Sequence, residues 1–147
     1  MSPEWLMKAA LIAYALPLGL LTSRTDLEEW HIYDKHIIPY LIITPLLYVV
    51  VFAYQHAWYG LAVYIVSLAS AAFFAWVLLW AGVWFDGDAF LFTAYSTIIP
   101  DPIQLFANTT LCALPIWLVR RKGRHVPLAP PMFCGFILLV LFGRWLD

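Results

Sequence analysis

The sequence predicts an all-α integral membrane protein, a six-span helical bundle with a short fourth span, from three observations. The chain is 64% hydrophobic and only 12% charged, with a mean hydropathy of +0.83, well outside the range of soluble domains. Its apolar runs are separated by short polar breaks, and its length leaves room for about six runs of roughly 20 residues. Its Lys and Arg residues fall unevenly on alternate breaks. Little chain remains for a soluble part. One domain is therefore expected over residues 1–147, set in a lipid bilayer of the cell membrane, with no nucleic-acid partner.

The spans fall near residues 3–23, 37–55, 58–84, 88–100, 103–119 and 127–146. The first starts beside Trp5, an interfacial aromatic with a counterpart in Trp145 near the other end of the chain. A signal-peptide reading of this run meets two objections: Glu4 offsets Lys8, and no small-x-small cleavage site ends the run. The second and third spans are parted by a break containing His56. At about 1.5 Å per residue, the fourth covers only some two thirds of a hydrocarbon core about 30 Å thick. It is expected to be sheltered by its neighbours or to begin inside a cavity. The fifth and sixth flank a basic break.

Orientation follows from the basic residues. Arg24 and Lys35 follow the first span, and Arg120, Arg121, Lys122 and Arg124 follow the fifth; only Lys8 and Arg144 fall on the other side. Both basic breaks are then cytoplasmic, both termini are external, and the break at 85–88 faces the cytoplasm as well.

Cys112 and Cys134 lie inside spans without metal-ligand spacing and read as packing residues. The histidines are scattered as His31, His36, His56 and His125. A zinc site built on His31, His36 and an acid lacks both a tight motif and a third convergent ligand. No metal and no cofactor are expected, and there is no glycine-rich phosphate loop or nucleophile elbow.

The acids are concentrated. Asp26, Glu28, Glu29, Asp34, Asp86 and Asp88 all fall at the cytoplasmic ends of the first four spans, while Glu4, Asp101 and Asp147 lie outside. Each has a plain structural reading. Asp88 follows Gly87 and precedes an apolar helix, a good N-cap position; Asp26 suits the cap of a short helix leading to Trp30; Glu28, Glu29 and Asp34 suit a solvated loop. Against this, an ionisable group just inside a membrane face is costly and is a functional candidate by default.

The segment from Ser23 to Asp34, with Asp26 and then Ile32-Tyr33-Asp34, resembles the first active-site segment of the type IV prepilin and archaeal preflagellin peptidases. There an Asp after the first span is followed by polar residues and Ile-Pro-Asn. Asp86-Gly87-Asp88-Ala89-Phe90 is similar to the same family's second segment, Gly-x-Gly-Asp or Gly-Ala-Asp followed by x-Lys, and the run from Asp88 through Ala94 to Ile98-Ile99-Pro100 follows the archaeal members' apolar helix ending in proline. Val126-Pro127-Leu128-Ala129-Pro130-Pro131, leading to Gly135, resembles the Pro-rich start of the family's last span. The likeness covers nearly the whole chain. Tyr33 stands where the family usually has proline, Phe85 where many members have the first glycine, and Phe90 where many have lysine; both aspartates are kept.

The resemblance implies a membrane aspartyl endopeptidase that removes class III signal peptides from prepilin- or preflagellin-like proteins at the cytoplasmic face. Asp26 and Asp88 are its implied catalytic pair. Two carboxyls that share a water do not readily both ionise, so one takes a proton from the water while the other protonates or hydrogen-bonds the scissile carbonyl. Gly87, beside Asp88, suits either a close substrate backbone with an unusual dihedral or an ordinary turn. The family's substrates carry a basic segment before the cut and an apolar helix after it. Glu28, Glu29, Asp34 and Asp86 are placed to hold the basic part. The chain has no space for the methyltransferase part of large bacterial members.

Other readings stay open. The departures at Tyr33, Phe85 and Phe90 allow a catalytically altered relative, and a small transporter or a scaffold would also place acids at helix ends. A different pairing, Tyr33-Asp34 with Gly87-Asp88, resembles presenilin-like enzymes and makes Asp34 the partner. Asp26 is favoured because the polar segment after it suits the prepilin-peptidase spacing and the chain is short for the other family.

Overall fold

The computed structural model describes residues 2–119 and 126–143, and all six of its regular elements are helices. They are α1 (Pro3–Glu29), α2 (Asp34–Tyr54), α3 (Trp58–Trp80), α4 (Asp86–Ile98), α5 (Pro102–Val119) and α6 (Ala129–Phe142). Four of them, α1, α2, α3 and α5, are long and apolar enough to cross a membrane. With 13 and 14 residues, α4 and α6 extend only about 20 Å each, less than a hydrocarbon core of about 30 Å. The basic residues 120–124, His125, Arg144, Trp145 and Asp147 lie outside the described residues.

Several boundaries depart from those the sequence predicts, each for a local reason. The first helix does not stop at residue 23 but continues to Glu29, so Arg24 and Asp26 are helical rather than in a loop. Good helix formers and the Arg24–Glu28 pair, 3.2 Å apart one turn on, carry it beyond the apolar run. It ends where Trp30 turns left-handed, at φ 56°. Lys35 and His36 likewise belong to the first turn of α2. The third helix ends at Trp80 rather than near residue 84. Gly82 takes φ +71°, while its N–H bonds Leu79 O and that of Val83 bonds Leu78 O, both at 3.0 Å, a glycine C-cap. The fourth helix starts two residues early, at Asp86, with extended Phe85 as its N-cap residue. Asp88 is therefore the third residue of the helix and not its N-cap. The positive φ in this region belongs to Gly82, not Gly87.

The helices group into two compact units, residues 1–32 with 103–147, and 33–102. In the first, α1 and α6 run antiparallel and in close contact. Gly19 permits this, because a Cβ there would run into the Phe133 ring. Ala15, Leu18, Met132, Phe136 and Leu139 are buried.

The second unit is a helical hairpin, α2 and α3, with α4 folded back along both. Its hairpin turn at residues 55–57 carries exposed Tyr54, Trp58 and Tyr59, and the far end of α3 carries exposed Trp80. Trp58 and Trp80 are thus about 33 Å apart along the helix, the spacing of two interfacial aromatic belts. α4 starts at the Trp80 end and is buried from Asp88 to Ile98 except at Phe90 and Thr93. Small residues at Ala89, Ala94 and Ser96 suit close packing by α2 and α3.

A helix that ends buried among apolar side chains must have its last carbonyls satisfied by protein. Pro100 stops α4 by forcing Ile99 into an extended conformation, φ −129°, ψ 111°. The freed carbonyls are taken by tyrosines: Tyr48 Oη donates to Ile98 O at 2.6 Å, and Tyr64 Oη to Thr97 O at 3.0 Å. The two rings stack with centroids 4.3 Å apart. The short fourth helix is therefore sheltered along its length and plugged at its end.

Candidate functional site

Six acids stand out in the sequence, and burial separates them. Asp26 and Asp88 are each 7% exposed, whereas Glu28, Glu29, Asp34 and Asp86 are all exposed. Each buried carboxylate sits at a helix end with a backbone N–H on one oxygen.

Asp26, in the last turn of α1, accepts the N–H of Ala129 at 2.9 Å. Ala129 is the first residue of α6, and the two residues after it are Pro130 and Pro131. Of the four N–H groups that a helix start leaves without an internal partner, the prolines remove two. Of the two that remain, the Ala129 N–H bonds the Asp26 carboxylate. Asp26 thus caps a helix 103 residues further along the chain, rather than a local one leading to Trp30. Two segments singled out in the sequence, the polar stretch from Ser23 and the Pro-rich stretch from Val126, meet at this carboxylate.

The other end of α6 is held by the same helix. Lys8, 8% exposed, donates from Nζ to Leu141 O at 3.1 Å and pairs with Glu4 at 2.6 Å. An acid at the N-terminus and a cation at the C-terminus match the α6 dipole at both poles. In sequence Lys8 reads only as a topology marker. The signal that could have found its second role is a lysine inside an apolar run with a glutamate one turn before it.

Asp88, the third residue of α4, accepts the Phe85 N–H on Oδ2 at 3.2 Å. This is the acid half of a capping box, with the carboxylate reaching back to the residue that precedes the helix. Asp34 and Asp86 each stand in the first turn of a helix, α2 and α4, at the Trp80 end of the second unit. Gly87 lies in the first turn of α4 with an ordinary helical φ. On α1, Glu28 pairs with Arg24 and Glu29 is its last residue.

His31 is exposed and His36 is half-buried against the Tyr33 ring, 6.0 Å between centroids. Among the described residues no three of His, Cys, Asp or Glu converge on a metal position. In chemical terms, each of the two buried carboxyls accepts a backbone N–H on one oxygen. Compared with family models, curated proteins and solved structures, the chain matches none.

Proposed function

We propose that the chain is a membrane aspartyl endopeptidase of the prepilin-peptidase kind, with Asp26 and Asp88 as its catalytic carboxyls. One observation carries this reading: of the six candidate acids, the two that match the family's aspartates are the two that are buried. An ionisable group withdrawn from water in an apolar chain is expensive, and function is the usual reason for keeping it. Asp34 is exposed, which favours Asp26 over it as the partner of Asp88.

In this reading the substrates are prepilin- or preflagellin-like proteins. Their basic segments meet Glu28, Glu29, Asp34 and Asp86 at the cytoplasmic face, and their apolar helices enter from the bilayer. α4 and α6 count as short fourth and sixth spans. One carboxyl takes the proton of the attacking water, and the other donates to the scissile carbonyl or the leaving amine.

A second reading has its own support: both carboxylates are helix caps, as a transporter or scaffold would also need. Asparagine separates the two, since it caps about as well as aspartate but does not titrate. The test is co-expression with prepilin-like proteins from the same genome, scored by gel shift. Asp26→Asn and Asp88→Asn are each expected to insert normally and to lose cleavage by about 10²-fold or more, while Asp34→Asn and Asp86→Asn keep most of it. Normal cleavage by both Asp26→Asn and Asp88→Asn would return both aspartates to capping alone. A reporter fused after Arg121 is expected to read cytoplasmic and one at the C-terminus external; the reverse would overturn the orientation.

A further inference from the structure

Cys112 and Cys134 are the only cysteines of the chain, and both lie in its first unit. Their sulfurs are 3.0 Å apart, closer than ordinary contact, on α5 and α6. A second observation shows that the helix backbones themselves meet there. A Cβ on Gly135 would lie 2.7 Å from Thr109 N and 2.9 Å from Thr109 Oγ1, and Asn108 Nδ2 donates to Gly135 O at 3.4 Å. Gly135 follows Cys134, and Cys112 is one turn beyond Asn108 and Thr109. The crossing point of α5 and α6 is therefore the level of the thiols. The sulfurs are about 1 Å beyond a bonding distance of about 2.05 Å.

The two thiols are not equivalent. Cys134 is exposed, while Cys112, near the middle of α5, is partly covered. We propose that they are an attacking and a resolving thiol, which close into an α5–α6 disulfide on meeting a small apolar disulfide. Cys134, as thiolate, attacks one sulfur of the reagent, forming a mixed disulfide and releasing the first reagent thiol. Cys112 then attacks Sγ of Cys134, forming the interhelical bond and releasing the second. Two cysteine thiols are oxidised and one reagent disulfide is reduced to two thiols, so protons and electrons balance. The bond ties α5 to the helix whose first turn Asp26 holds. Nothing in this proposal depends on the peptidase reading.

The experiment uses the full chain, purified in detergent and treated with dithiodipyridine, which is apolar and releases a coloured thiopyridone. The wild type is expected to release about two equivalents per chain and retain no pyridyl adduct. Its mass falls by two hydrogens, and proteolysis yields a fragment joining Cys112 to Cys134 that separates on reduction. Cys112→Ser should release about one equivalent and keep the adduct on Cys134, whereas Cys134→Ser should react several-fold more slowly. Absence of release, two retained adducts, a disulfide joining two chains, or a Cys134→Ser variant as fast as the wild type would each overturn the proposal.

Discussion

Both units of the molecule contain a helix too short to cross a bilayer, and they secure it by different means. In the first, α6 is gripped at its two poles by charged groups of another helix, Asp26 at the start and Lys8 at the end. In the second, α4 carries its own acid, Asp88, bonded three residues back, while its other end is closed by the neutral hydroxyls of Tyr48 and Tyr64. The first solution is long-range and electrostatic; the second is local at one pole and polar without charge at the other. The same residue type at a helix start therefore has different structural duties. Asp26 joins two segments of a unit, and Asp88 stabilises the turn in which it sits.

That difference orders the effects of substitution. Removing the long-range grip should be felt most: Asp26→Ala leaves the buried Ala129 N–H at the start of α6 without its charged acceptor and is expected to lower stability by roughly 2 kcal/mol. Proteolysis of the detergent-solubilised protein should then release α6 first. Lys8→Met is expected to follow, with a loss of roughly 1–2 kcal/mol read by thermal unfolding, because one carbonyl of the last turn loses a cationic donor. Asp88→Ala removes the local bond to the Phe85 N–H and is expected to cost about 1 kcal/mol. An Asp88→Ala variant less stable than Asp26→Ala would break the comparison.

The neutral plug gives effects of the same size as the local cap. Tyr48→Phe and Tyr64→Phe are each expected to cost about 1 kcal/mol, since each orphans one carbonyl of α4 while keeping the ring. A double-mutant cycle should show coupling, as the two rings stack and the hydroxyls serve consecutive residues. Additive losses would mean that the pair does not act as one plug.

The exposed acids should matter least to the fold. Glu28→Lys with Glu29→Lys is expected to leave thermal unfolding nearly unchanged, because surface pairs such as Arg24–Glu28 contribute little. On the proposed reading the same double variant weakens cleavage and its salt dependence, and a charge-reversed substrate recovers part of the loss. Unchanged cleavage would return both residues to a solvated helix end.

Much of this architecture is legible in the amino-acid sequence. Composition and the lengths of the apolar runs determine that the chain is helical and suited to a membrane, because a bilayer leaves helices or closed barrels as the only options and these runs are of helix length. The brevity of the fourth helix and its need for shelter follow from the same arithmetic. The family-like segments also single out Asp26 and Asp88 among the nine acids, though they say nothing of what either carboxylate bonds.

Only the tertiary structure decided what those acids touch. The continuation of α1 to Glu29 is invisible to hydropathy, since the last turns are polar and helical at once. That Asp26 faces Ala129 depends on a contact across 103 residues, and neither periodicity nor local spacing encodes such a pairing. The prolines after Ala129 do record the need for an outside cap, because they remove donors, but not which residue supplies it. Likewise Tyr48, Tyr64, Cys112 and Cys134 look in sequence like ordinary apolar-span residues. Their roles arise because folding brings two free carbonyls to one pair and each other's sulfur to the other, and burial makes an unmet polar group expensive only once water has been excluded.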